Sequence, residues 1–591
     1  MEYEPSEIHE TYEGYGSYVN NMKIKFLLLC TLILAALLRF YDLGGMPEGF
    51  HRDEAFLGYN AYSILKTSRD IAGNVFPLHL SSFLYSPAGY SYVSLPFIVL
   101  FGLNEFSVRF ASALFGVATV FALYGLAKEM LTHTFKLKKD YDPAVVAAIA
   151  AGALAISPWH INLSRVATEH VPAVFFLLLG TWLYLRLVRS GKLGLLGVLG
   201  VFGCFGITYL FYQAPRAFLP LFLPLLFFVA PPKAVKDRIL AGAGYLLFII
   251  VPVLLILSSE NLSLRIRTVS IMADEHLTLI REEALREDGT QAISPLIARM
   301  FHNKILSFAD RFFEHYFSHF SYAFLFTDQG FPDRYRVPGY GLLHYFDIVL
   351  LVIGGIIVVR RYPKLAALAG GWIVLSPVGS ALTYDDVPNL QRTLMMAPML
   401  AILSAIGIRW LSAVLGSLGN LGKWSGILFG TVVFLYSIFS YLHQYYIHQP
   451  AHRPWYRHEG YRELVAKVND LLPAYEKAVI STTQSAPTIF FLFYGKYDPS
   501  AFQEIARVSA LRDFDRIPFG PYEFSQEECP YEGEPVTDPR TGVRKPAFVG
   551  VPDVLYVTHG RCIDATLPIR QIDEIRRTDG TVVFRILEVT E

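Results

Sequence analysis

The apolar residues of this chain gather into long blocks instead of alternating with polar ones, at 26–40, 171–188, 245–257, 348–359 and 427–439. With their flanks, most reach the roughly 17 to 25 residues that a helix needs to cross a hydrocarbon core. Short basic connections separate them at 128–139 (Lys128, Lys136, Lys138, Lys139), 186–192, 233–238 and 360–364. Lys and Arg in short loops mark the cytoplasmic side. Placing all four connections there predicts helices near 24–41, 107–131, 143–158, 170–188, 193–212, 214–230, 239–258, 344–359, 364–382, 392–412 and 424–446, about eleven in all. The run 88–103 is shorter and is broken by Pro96. It is predicted as a juxtamembrane helix, because a twelfth span would carry Lys23 and Lys25 to the outer side.

This topology gathers the long polar stretches on one face: the loop 42–105, the turns 159–170 and 209–216, the long loop 259–343, the turn 384–392 and the tail from 448. The tail reads as a small α/β domain. Its amphipathic stretch 461–472 precedes strand-like runs at 478–482, 488–494, 551–558 and 581–587, punctuated by Gly and Pro. The expected organisation is a disordered cytoplasmic leader over 1–22, a transmembrane domain over 23–447 and an extracytoplasmic α/β domain over 448–591.

Composition agrees with a membrane protein: 53% of residues are hydrophobic and 17% charged, with a mean hydropathy of +0.37. Acidic and basic residues balance at 51 each, which gives no reason to expect nucleic acid as a partner. Cys30 and Cys204 fall inside apolar blocks, whereas Cys529 and Cys562 lie in the polar tail, where one disulfide and two free thiols are both open.

Candidate chemistry centres on Phe50-His51-Arg52-Asp53-Glu54-Ala55, just after the first helix. Two adjacent carboxylates near apolar surface are costly to desolvate unless something uses or neutralises them. One suits a general base, and the other an acceptor or a divalent cation. The plainer reading is a solvated helix N-terminus, where acidic residues are favoured. Arg165 and Glu169 are four apart and would pair if helical; otherwise Arg165 suits a phosphate. Arg334 and Arg336, in the turn-rich stretch 326–341, and Gln391-Arg392 sit opposite the usual basic bias, which favours an anionic ligand. Tyr209 lies in an aromatic turn, a weak signal at an interface. His315 and His319 share one helical face, better explained by an interfacial amphipathic helix than by a metal. The chain has no Gly-rich phosphate loop, Cys-based zinc spacing or G-x-S-x-G elbow.

These features together resemble the polyprenyl-phosphate-sugar-dependent glycosyltransferases of the GT-C fold, near protein O-mannosyltransferases and lipid A aminoarabinose transferases. The residues that carry the resemblance are Asp53-Glu54, the Asn104-Glu105-Phe106-Ser107-Val108-Arg109-Phe110 entry, the Arg165 turn, Gly330, Arg334, Pro338, Gly341 and Gln391-Arg392. It implies a plasma-membrane enzyme that moves a sugar from a polyprenyl-phosphate carrier to a lipid, glycan or protein acceptor on the extracytoplasmic face. Asp53 would be the general base and Glu54 its partner, with Arg165, Arg334, Arg336 and Arg392 on the carrier phosphate. Glu169, His51, Tyr85, Tyr209 and Gln391 would contact substrate, and Asp53, Glu54 and Glu169 are the candidates for a divalent cation, Mg or Mn. Two departures stand out: Tyr85-Ser86-Pro87 occurs where aminoarabinose transferases have a Lys before the Pro, and the β-trefoil insert of protein O-mannosyltransferases is lacking. The rival is a transporter or lipid flippase, which would place ionisable residues near the midplane within inverted repeats. Here the predicted helix interiors are almost free of charge and no repeat is found.

Overall fold

The computed structural model describes residues 5–81, 85–137, 142–258, 270–483, 485–509, 513–537, 544–559, 562 and 567–590, with side chains from residue 22 except at 81, 85, 255–258, 534–537 and 544–546. Lys138 and Lys139 of the first basic connection lie outside these residues. Two compact units emerge. One comprises Met1–Tyr41, Ala113–Ser164 and His170–Tyr441; the other comprises Asp42–Ser112, Arg165–Glu169 and Leu442–Glu591.

The first unit is helical. Among the described residues, seven helices are long and apolar enough to cross a membrane: Glu105–Thr134, His170–Ser190, Gly194–Phe211, Val235–Leu254, Pro363–Ala381, Leu394–Ser417 and Asn420–Ala451. Pro143–Ile156 and Pro158–Ser164 make an eighth if counted as one span bent by 58°. The bend falls at Pro158, whose ring cannot continue the ladder behind it. A helix occupies each of the eleven predicted segments, but the count of eleven is not reached by length and composition. Pro215–Val229 has 15 residues and Tyr345–Arg361 has 17, the shorter rising only about 22 Å against a core of about 30 Å. The first helix carries Lys23, Lys25 and Arg39, and it runs from Pro5, back through the polar leader expected to be disordered.

Helices Tyr345–Arg361 and Ala397–Ser417 approach backbone to backbone. A Cβ on Gly354 would overlap the carbonyl of Leu403, and one on Gly407 would overlap the carbonyl of Leu350. Small residues at such crossings allow membrane helices to gain close van der Waals contact. The loop 259–343 holds four helices among its described residues, including Lys304–Ser318, which leaves Ile305, Phe313 and Phe317 exposed. The turn expected at 159–170 is instead the buried helix Pro158–Ser164 followed by an irregular stretch.

Among its described residues the second unit has nine strands, five of them in one sheet. In order these are β1 (His79–Ser81), β2 (Tyr85–Pro87), β3 (Lys477–Ser481), β4 (Tyr522–Ser525), β5 (Glu532–Thr537), β6 (Arg544–Phe548), β7 (Val554–Thr558), β8 (Ile569–Arg576) and β9 (Val582–Val589). The sheet order is β4-β3-β7-β9-β8, with β3 parallel to β4 and β7 and the remaining pairs antiparallel. β1 pairs with β2 and β5 with β6 as separate ribbons. Four of the five expected tail elements are found, but 488–494 is the helix Pro487–Tyr494 and not a strand. A short apolar run reads either way by periodicity, and Pro487 at the first helical position decides it. Cys529 and Cys562 are bonded to each other.

One hydrophobic core joins the loop after the first helix to the tail, with Phe50, Phe56, Tyr59 and Val108 in the same cluster as Tyr461, Phe490, Phe493 and Phe584. The compact units therefore differ from a division at residue 447. A domain boundary drawn by hydropathy separates segments that share a core. The segment 88–103 forms the 13-residue helix Gly89–Phe101, shorter than a span.

Candidate active site

The helix Arg52–Thr67 is started by its own sequence. His51 accepts from the Asp53 N–H at 3.2 Å while Glu54 Oε1 accepts from the His51 N–H at 3.4 Å, a reciprocal capping box. Asp53 and Glu54 then lie in the first turn, where the helix dipole favours negative charge. Their surroundings differ sharply: the Asp53 side chain is 24% exposed and that of Glu54 only 3%.

Glu54 is the hub of the loop. Arg109 donates to it twice, from Nε at 2.9 Å and from Nη2 at 3.1 Å, and the Ala167 N–H adds a bond at 2.8 Å. Arg109 also donates to the carbonyls of Pro47 at 3.0 Å and Gly49 at 2.6 Å. The pair thus ties together the segment before the helix, the helix start and the 165–169 turn. Both Glu54 oxygens are thus engaged in hydrogen bonds within the loop.

Asp53 is the accessible carboxylate. His51 Nδ1 lies 3.3 Å from its Oδ2, and the His51 ring packs on that of His458 at 4.5 Å. His458 Nδ1 in turn accepts from the Arg52 N–H at 3.3 Å. Glu169 accepts from the Ser86 hydroxyl at 2.5 Å, which links the 165–169 turn to β2. Tyr85 pairs with Ser81 through the backbone of that ribbon, and its side chain lies outside the described residues.

Arg165 lies in the same unit as Asp53 and Glu54. It is fully buried, donates to Tyr445 Oη at 3.0 Å and to the Met46 carbonyl at 3.2 Å, and lies over the rings of Tyr445 and Tyr446. Because 165–169 is not helical, the four-residue spacing to Glu169 does not place the two on one helical face. Through these bonds Arg165 joins the first loop to Tyr445.

The remaining candidates belong to the other unit. Arg336 is held by Asp333 and by Asp328, the latter at 3.2 Å, which commits it to its own turn. Arg392 donates to Thr383 Oγ1 at 2.5 Å and to Asp385 Oδ1 at 3.0 Å. Arg334 lies over the Tyr335 ring. Asn389 Oδ1 accepts from the N–H groups of Gln391 and Arg392, and Gln391 lines a small pocket with His170 and Tyr212. Tyr209 packs against Phe248, and its carbonyl accepts from Arg216. His315 and His319 are engaged with the carbonyls of Thr383 and His315 and not with each other's rings.

Among the described residues no three His, Cys, Asp or Glu side chains gather as a metal-binding group. Residues with a place in the site that the sequence reading left without a role are Arg109 and His458. For Arg109 a signal existed, since an arginine near the start of the apolar helix Glu105–Lys128 demands a partner.

Residues 86–256 match the family model described as dolichyl-phosphate-mannose-protein mannosyltransferase. The resemblance drawn from the sequence is borne out over that segment. Two proteins of Bacillus subtilis (strain 168) are similar to short stretches of the chain. The protein named "Putative mannosyltransferase YkcB" is 34% identical over 95 residues, 16% of this chain and 12% of its own length. That named "Putative mannosyltransferase YycA" is 34% identical over 118 residues, 18% of this chain and 16% of its own. The chain thus spans well under a fifth of either relative. Among solved structures, ArnT from Cupriavidus metallidurans bound to undecaprenyl phosphate aligns at a TM-score of 0.46 with 14% identity, covering 94% of this chain and 97% of that one.

Proposed function

We propose that this protein is an integral membrane glycosyltransferase of the GT-C type that moves a sugar from a polyprenyl-phosphate carrier to an acceptor on the extracytoplasmic face, with Asp53 as general base. The observation that carries this reading is the division of labour within one capping box. Glu54 is buried and spent on Arg109, which leaves Asp53 partly exposed on a helix end held rigid. The match to a mannosyltransferase family model over residues 86–256 supports the donor class, and the bonded pair Cys529–Cys562 supports an oxidising compartment for the tail.

In the reaction, an acceptor hydroxyl oxygen forms a bond to the anomeric carbon while Asp53 takes its proton. The bond from that carbon to the carrier phosphate oxygen breaks, and the electron pair leaves with the polyprenyl phosphate. An isoprenoid donor accounts for a chain rich in membrane-type helices and without a nucleotide-binding motif. A purified preparation screened against carrier-linked sugars tests the class: transfer of label from one or more of them is expected. Movement of the carrier across the bilayer with no label transferred would instead favour a flippase.

A further inference from the structure

A second site lies in the tail, apart from the capping box. A cavity of about 380 Å³ opens among Trp455, Glu459, Tyr461, Ser485, His559 and Arg577. Its position follows from the sheet. Ser485 comes shortly after β3 and His559 directly after β7, so the cavity sits beyond the carboxyl ends of two adjacent parallel strands. Such crevices are the usual ligand positions of open α/β sheets.

The lining combines flat apolar surface with few polar groups. Tyr461 is stacked on Phe490 at 4.1 Å and set against Phe584 at 4.8 Å, which fixes its ring, while Trp455 is 48% exposed at the mouth. Glu459 Oε1 accepts from the Thr578 N–H at 2.6 Å and hydroxyl at 2.7 Å, whereas its buried Oε2 has no hydrogen-bond partner among the described residues. Burial pushes the His559 imidazole down to about 4, so it is neutral at physiological pH. One guanidinium, Arg577, and one carboxylate, Glu459, leave the cavity without net charge.

We propose that this cavity binds an uncharged sugar ring, that of a glycan acceptor. The half-exposed Trp455 ring suits the apolar face of a pyranose, and a carboxylate, a hydroxyl and a neutral imidazole suit its hydroxyl groups. The cavity also adjoins the candidate base. His458 lines it and packs at a tilt against the ring of His51, the residue that caps the Asp53 helix. Assigning the sugar to the acceptor rests on the transferase reading; the presence of a sugar site does not.

The test uses the full chain in lipid nanodiscs, free of sugar-headed detergent. Methyl α-mannopyranoside and methyl β-glucopyranoside are the neutral probes, glucuronate and inorganic phosphate the charged ones, with saturation-transfer NMR as readout. A saturable signal from at least one neutral probe is expected, weakened about tenfold in Glu459→Gln, which loses a charged acceptor, and in Trp455→Leu, a change at a half-exposed position that folding tolerates. Asp53→Asn should bind the probe as the native chain does, so that failure of the transferase reading is separable. Signals only from the charged probes, or neutral binding unmoved by either cavity variant, would overturn the site. In transfer assays, Trp455→Leu is expected to raise the acceptor KM about tenfold with kcat held. An unchanged KM alongside lost probe binding would overturn the acceptor assignment.

Discussion

Replacing Glu54 by Gln probes the hub of the first loop. The Arg109 guanidinium, 1% exposed, would keep its charge and its bonds to Pro47 and Gly49 but lose the two charge-assisted bonds to the carboxylate. Breaking a buried ion pair from one side typically costs about 3 to 5 kcal/mol. Gln retains one carbonyl oxygen for the Ala167 N–H, which places this variant near the lower bound, about 3 kcal/mol. Arg109→Met leaves Glu54 charged and unpaired at 3% exposure and should cost as much or more. The double variant, with neither charge, should be less destabilised than the sum of the two singles by about 2 kcal/mol or more. Thermal unfolding of all four proteins in the same nanodiscs reads these values. Kinetics separate positioning from chemistry: the Glu54→Gln loss of kcat should be partly recovered in the double variant, because the Asp53 helix start is less distorted. A Glu54→Gln protein that melts like the native chain yet has lost all turnover would refute the assignment and make Glu54 itself a reacting group.

Other outcomes follow from single sites. Gly354→Leu should destabilise the first unit by about 2 kcal/mol or more, because a side chain there meets the Leu403 carbonyl and the helices must separate; an unchanged melting temperature would contradict the close crossing. His559 has a folded pKa of about 4, below its unfolded value near 6.5, so its contribution to stability is full above pH 6.5 and is lost as pH falls toward 4. Between pH 7 and pH 5 this amounts to about 2 kcal/mol, and His559→Asn should melt with a correspondingly flatter pH dependence. Cys529→Ser should lower the stability of the tail by about 2 to 4 kcal/mol by freeing the 33-residue separation, measurable as faster proteolysis of the second unit.

Much of this architecture is legible from the chain, and the misses have physical causes. Apolar blocks announce membrane-type helices because a hydrocarbon core demands length and composition together, and each block predicted is a helix. The count is harder, since Pro215–Val229 and Tyr345–Arg361 stop short of the core thickness and no periodicity reports where a helix ends. Asp53 and Glu54 stand out as a pair, but their separation into one exposed and one buried carboxylate depends on Arg109, 55 residues away. Arg165 shows the limit from the other side. An arginine on an outer turn carries no local sign of Tyr445, which meets it from 280 residues further on. The shared core of the first loop and the tail is likewise invisible locally, because its halves are separated by the whole helical unit.

The assignment of Asp53 as general base is tested most directly by single-turnover transfer of a labelled sugar from its polyprenyl-phosphate carrier, comparing the native chain with Asp53→Asn. The amide keeps the size of the side chain and its place in the helix start, so melting should be unchanged within about 0.5 kcal/mol. General-base catalysis contributes about 10² to 10⁴ in rate, and a loss of that size is the expected result. Transfer by Asp53→Asn at a rate within a few-fold of the native chain would contradict the account.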